Sequence, residues 1–119
     1  MDMELEKLNG VAIVALQGEI LDAGNAKAFK REIRPVIEAD ALVVFDMARL
    51  QFVDSSGLGA ILSCLRQLNA LGGDLKLCGM SKPVRALFEL VRMHRIFEIF
   101  NTVEEAVRAF QTADEAVVV

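Results

Sequence analysis

"ALVVFDMARLQFVDSSGLGAIL", residues 41–62, decides the fold class of this chain. It opens on a continuous apolar run, 41–47, the mark of a strand covered on both faces. It closes on Leu58, Ile61 and Leu62, which with Leu65 and Leu68 form a helical stripe ending at Gly72-Gly73, a C-cap pair. A strand, a short connection (Ala48–Asp54) and a helix make the first part of a βαβ unit. Such units close right-handed and build a parallel sheet with helices as cover. Asp54, Ser55 and Ser56 stand at the junction, just past the end of a strand, where open α/β sheets gather ligands and chemistry.

The flanking sequence extends the same alternation. Residues 3–8 and 11–17 are short apolar-rich runs separated by Asn9-Gly10, a strong hairpin signal. Ala26, Phe29, Ile33 and Ile37 recur at helical spacing with Asn25 as N-cap, and Pro35 is expected to kink or end that helix. After Gly72-Gly73, residues 74–79 alternate like a strand. Ser81 can cap a helix with Pro83 in its first turn and Val84, Leu87, Phe88 and Val91 facing inward. "RIFEIF" (95–100) reads as a strand. Thr102 and Glu105 form a capping box for a last helix, Val103–Ala113. The order is ββαβαβαβα: one α/β domain over 1–113, its mainly parallel mixed sheet opened by an antiparallel hairpin, with 114–119 expected to fray.

Composition narrows the function. A chain of 119 residues with 54% hydrophobic residues holds one core and no second domain. Its apolar runs fall far short of the roughly 20 residues that span a bilayer, and no export signal opens it. A soluble, cytoplasmic protein without a membrane role is expected. The net charge of −4 removes the electrostatic basis for nucleic-acid binding. Lys82, Arg85, Arg92 and Arg95 read as a solvated helix face. His94 is the single histidine, which argues against a His-based zinc site. Cys64 and Cys78 lack CxxC spacing and read as reduced core residues. No cofactor is implied.

At the junction, Ser55 or Ser56 can accept a hydrogen bond from the first-turn amides of the helix, while Gly57 and Gly59 leave those amides sterically open. A helix N-terminus of this kind also suits a phosphoryl group, because free N–H groups and the helix dipole favour an anion. The plain alternative is a cap and nothing more. "GLG" is neither a P-loop nor a GxGxxG fingerprint, "VDSSG" is not the GxSxG elbow, and a hydrolase would have only His94 as base. A non-enzymatic role is expected.

"FVDSSGLGAIL" resembles the signature of the STAS domain family, specifically the anti-sigma factor antagonists of bacterial partner-switching systems. "VAIVALQGEI", "LVVFDMARLQFVDSSGLG" and "GGDLKLCGMSKPVRALFELVRMHRIFEIF" carry the resemblance over nearly the whole chain. It implies a STAS-like fold and a phospho-switch. In the family, the unphosphorylated antagonist sequesters an anti-sigma factor serine kinase of the GHKL ATPase type. Phosphorylation by that kinase releases it, and a PP2C-type phosphatase reverses the modification. Carried over, Ser55 is the phosphoacceptor, surrounded by Asp54, Ser56, Gly57 and Asp22. Asn25, Gly59, Ser63, Arg66 and Gln67 complete the expected partner surface. "GEILDAGNA" is one residue longer than the family's "GELD" stretch, so Glu19 and Asn25 stand beside Asp22 as candidates for its role. The runner-up is a non-switching STAS subunit of a transport or scaffold complex.

Overall fold

The computed structural model describes residues 1–118, with side chains described to Gln111. The hairpin forms as expected: β1 (Met3–Leu8) pairs antiparallel with β2 (Val11–Leu16). Asn9 and Gly10 both take positive φ, 53° and 80°, as a two-residue turn matched to strand twist requires. A two-residue strand, β3 (Ile20–Leu21), follows, then α1 (Ala26–Ala39) and β4 (Leu42–Asp46). A second two-residue strand, β5 (Phe52–Val53), precedes α2 (Ser55–Ala70). The chain continues through β6 (Asp74–Cys78), α3 (Lys82–Leu90), β7 (Ile99–Phe100) and α4 (Val103–Val118). The expected frayed tail, 114–119, lies outside the residues whose side chains are described.

The main sheet has the order β1-β2-β4-β6-β7, parallel at every pairing except the opening hairpin. Its strands alternate between two cores. Ala12, Val14, Leu16, Val43, Phe45, Leu75 and Leu77 pack toward α1, α2 and α3. Val11, Ile13, Val44 and Cys78 pack under Ala106, Val107 and Phe110 of α4. Both faces are covered, which is why 41–47 carries no polar alternation. Lys76 is a buried charge on the α4 side. Its ammonium donates to Glu98 at 2.8 Å and lies 4.4 Å from the centre of the Phe110 ring.

Several local expectations are corrected. Residues 95–100 are not one strand: the chain turns at Arg92 (φ 61°) into a 3₁₀ turn, Met93–Arg95, the Ile96 and Phe97 N–H groups still donate to the Met93 carbonyl, and only Ile99–Phe100 pair, with Leu77 and Cys78. Val91 is exposed, since α3 has already ended at Leu90. Pro35 does not end α1. It lies with Arg31 on the exposed face, where water can satisfy the carbonyl that loses its helical partner. Ser81 does not cap α3 through its side chain; its hydroxyl donates to the Leu50 carbonyl at 3.0 Å. Thr102 does cap α4, accepting from the Glu105 N–H, but the Glu105 carboxylate accepts from the Thr102 hydroxyl and not from its backbone.

Candidate functional site

Two segments of matching design build the site. Ile20-Leu21-Asp22 and Phe52-Val53-Asp54 each place two apolar residues before an aspartate, and each leads into a helix. As β3 and β5 they pair in parallel, Ile20 opposite Phe52 and Leu21 opposite Val53. Strand alternation turns Leu21 and Val53 into the core and leaves Ile20 and Phe52 outside. The Glu19 carbonyl accepts from the N–H groups of Gln51 (2.7 Å) and Phe52 (3.1 Å), and the Leu21 carbonyl accepts from the Asp54 N–H (3.3 Å). Strands this short are legible only once the chain has brought them together.

Asp54 fixes the junction. Its backbone is extended (φ −100°, ψ −173°), so its carboxylate reaches over the first turn of α2 and accepts from the Gly57 N–H at 2.9 Å. Its second oxygen accepts from the Ala23 N–H at 3.1 Å and ties the preceding loop to the helix start. The Gly57 amide holds the Asp54 carboxyl below the ordinary 3.8; partial burial opposes this and the Ala23 amide assists it. The expected serine cap is therefore corrected. Ser55 and Ser56 are already the first helical residues, both are exposed, and neither hydroxyl has a hydrogen bond among the described residues.

The 22–25 loop holds itself together. The Asp22 carboxylate accepts from the Gly24 N–H at 2.9 Å, and its carbonyl accepts from the Asn25 and Ala26 N–H groups. Asn25 sits at the N-cap position of α1 without capping it through its side chain, a second correction. Its side-chain oxygen instead accepts from the Asp22 N–H at 2.9 Å, and its amide donates to the Ile20 carbonyl at 2.8 Å. Glu19 contributes its main chain to the β3–β5 pairing and exposes its side chain.

The glycines have opposite tasks. A Cβ on Gly57 would collide with the Leu21 carbonyl and come within 2.8 Å of Val53, so only glycine lets α2 start this close to β3. Gly59 is exposed, and a Cβ there would meet nothing within 4 Å. Gly59 and Arg66 continue the helical line that begins at Ser55. Gln67 is exposed beside them and donates to the hydroxyl of half-buried Ser63 at 3.1 Å. The structure thus brings 54–57 and 22–25 together and leaves Arg66 and Gln67 further along α2.

Among the described residues no group of three or more His, Cys, Asp or Glu could hold a metal ion, and no helix is long and apolar enough to cross a membrane. Cys64 and Cys78 are free and buried; burial first of all pushes both thiols up to about 12, leaving them protonated at neutral pH.

The STAS domain family model matches residues 2–106. The chain belongs to the STAS domain family. BtrV of Bordetella bronchiseptica, which carries the name of an anti-sigma factor antagonist, is 33% identical over 114 residues, covering 95% of this chain and 97% of that protein. The anti-sigma factor antagonist SpoIIAA in its unphosphorylated form superposes with a TM-score of 0.74 at 27% identity, covering 93% of this chain and 97% of that one. The phosphorylated form of Bacillus SpoIIAA gives 0.67 at 27% identity, covering 92% and 99%. The single α/β domain with a hairpin-opened, mainly parallel sheet is the architecture that this chain shares with the STAS structures.

Proposed function

We propose that this STAS domain is an anti-sigma factor antagonist that works as a phospho-switch on Ser55. In its unphosphorylated form it binds an anti-sigma factor serine kinase of the GHKL ATPase type. Phosphorylation of Ser55 by that kinase releases it, and a PP2C-type phosphatase resets it. One observation carries the reading: the cap of α2 is supplied by Asp54, so the exposed hydroxyls at its start have no partner among the described residues, and the resemblance to the STAS signature assigns the acceptor to Ser55. A relative that covers nearly its whole length with this chain is known in phosphorylated and unphosphorylated forms.

The energetics suit a switch that changes binding and not folding. A phosphoryl group adds about −1.5 to −2 charges at pH 7. At the N-terminus of α2 the dipole favours that charge by roughly 0.3–1 kcal/mol. The Asp54 carboxylate next to it opposes the gain, so the folded state changes little. Under a bound partner the same dianion would have to shed its water, and an unpaired buried charge costs several kcal/mol, enough to lower affinity by orders of magnitude.

Incubation with the cognate kinase and ATP, followed by mass-spectrometric mapping, tests the reading. Phosphate on Ser55 is expected, with Ser55→Ala binding the kinase persistently and Ser55→Asp folding normally but binding poorly. Phosphate confined to Ser56 would shift the site by one residue, and an unmodified chain would overturn the switch.

A further inference from the structure

The geometry points to Ile20 and Phe52 as the apolar anchor by which the Ser55 kinase holds this chain, seated in an apolar socket beside the kinase's phosphoryl-transfer site. The inference rests on the phospho-switch reading and adds the contact that supplies its affinity.

Ile20 is 49% exposed and Phe52 53% exposed, and they lie directly opposite each other in the β3–β5 pair. Their inward neighbours, Leu21 and Val53, already fill the core, so folding does not require apolar side chains at the two outer positions. Exposed Glu19 and Gln51 immediately precede the pair on their two segments, which sets polar residues beside a small apolar centre, as in a binding patch. The pair is also held in place. Phe52 is bonded through its backbone to Glu19, and Asp54 clamps both segments through Ala23 and Gly57, so little order remains to be gained on binding.

Distance selects the occupant. Phe52 is three residues from Ser55, at most about 10 Å along the chain. A standard interface buries about 800 Å² on each partner, a disc of roughly 16 Å radius. A protein that delivers phosphate to Ser55 through such an interface covers Phe52, and an aromatic side chain near the centre is the residue type that dominates binding energy. The coupling follows from the same proximity: a dianion on Ser55 prevents water from leaving the apolar seat. Leu71, 62% exposed at the far end of α2, is about 24 Å from Ser55 and falls outside that disc.

The test uses the chain's cognate GHKL-type serine kinase, full length, as the probe, with affinity measured by calorimetry and Ser55 phosphorylation by initial rates. Phe52→Ala is expected to weaken binding at least tenfold and Ile20→Ala severalfold, with Phe52→Leu recovering part of the loss and Leu71→Ala changing affinity less than twofold. The phosphorylation KM should rise with kcat unchanged, and the melting temperature should stay within a few degrees of wild type. Wild-type binding and phosphorylation with Ile20→Ala/Phe52→Ala binding within twofold would overturn the anchor and leave the switch standing. A wild-type chain that is neither bound nor phosphorylated would overturn both.

Discussion

The loops Ile20–Asn25 and Phe52–Gly57 start alike and end differently. Each runs apolar-apolar-Asp into a helix, and the two apolar residues of one pair with those of the other. In the first, the Asp22 carboxylate closes on Gly24, its carbonyl on Asn25 and Ala26, and the Asn25 side chain on Asp22 and Ile20. Its polar groups serve the loop, and α1 begins four residues after the aspartate. In the second, Asp54 caps its own helix at once, α2 begins at the next residue, and two hydroxyls are left exposed with no hydrogen-bond partner among the described residues. One aspartate folds a loop; the other frees a serine.

The largest break in this comparison should come at Gly57. Gly57→Ala drives a Cβ against the Leu21 carbonyl and is expected to destabilise the domain by about 1–3 kcal/mol, as overpacking does. Gly59→Ala, one turn-step away in open space, should stabilise by roughly 0.5–1 kcal/mol through helix propensity alone. Urea melts of the two variants check the opposite signs.

Asp54 comes next. Asp54→Ala removes the cap and the clamp to Ala23 together and is expected to lower the melting temperature by roughly 5 °C. Asp54→Asn should retain the bond from Gly57, but its NH₂ cannot accept from Ala23. Amide exchange at Ala23 is therefore expected to speed up in Asp54→Asn while Gly57 stays protected. Equal protection at both amides would mean that the two loops are not coupled through this carboxylate.

A smaller effect is tied to pH. The folded-state carboxyl of Asp54 titrates below its ordinary 3.8, so the stability it adds is present above that value and is lost as pH falls through the lower folded one. The wild type should lose stability more steeply than Asp54→Asn below pH 3.8, and the two should run parallel between pH 5 and 7. Denaturant midpoints across that range measure it.

The smallest effect is the most informative about Ser55. With the cap on Asp54, Ser55→Ala and Ser56→Ala should each change stability by less than about 0.5 kcal/mol, the range of surface substitutions without a structural role. A loss near 1 kcal/mol at Ser55 would show that its hydroxyl does serve the helix, and the contrast between the loops would fail.

Periodicity determined most of the architecture. The stripes Ala26-Phe29-Ile33-Ile37 and Leu58-Ile61-Leu65-Leu68 are buried as the spacing requires, and the apolar runs at 11–17 and 41–47 became central strands. These readings hold because helices and central strands bury a face several residues long, and a repeat of that length is written in the sequence itself. The motif "FVDSSGLGAIL" marked the strand-to-helix junction, and the resemblance to the STAS signature, not the spacing, singles out Ser55 over Ser56. What tertiary structure decided was shorter in range along the chain and longer across it. That Asp54 and not a serine is the cap depends on its extended backbone, and that its second oxygen ties in the preceding loop depends on the Ala23 amide, 31 residues upstream. That Gly57 must be glycine depends on Leu21, and that Ile20 and Phe52 stand side by side depends on two strands of two residues each. A two-residue strand has no period to read, and a carboxylate has several amides within reach of its own loop. Only the packing of α2 against β3 chooses among them.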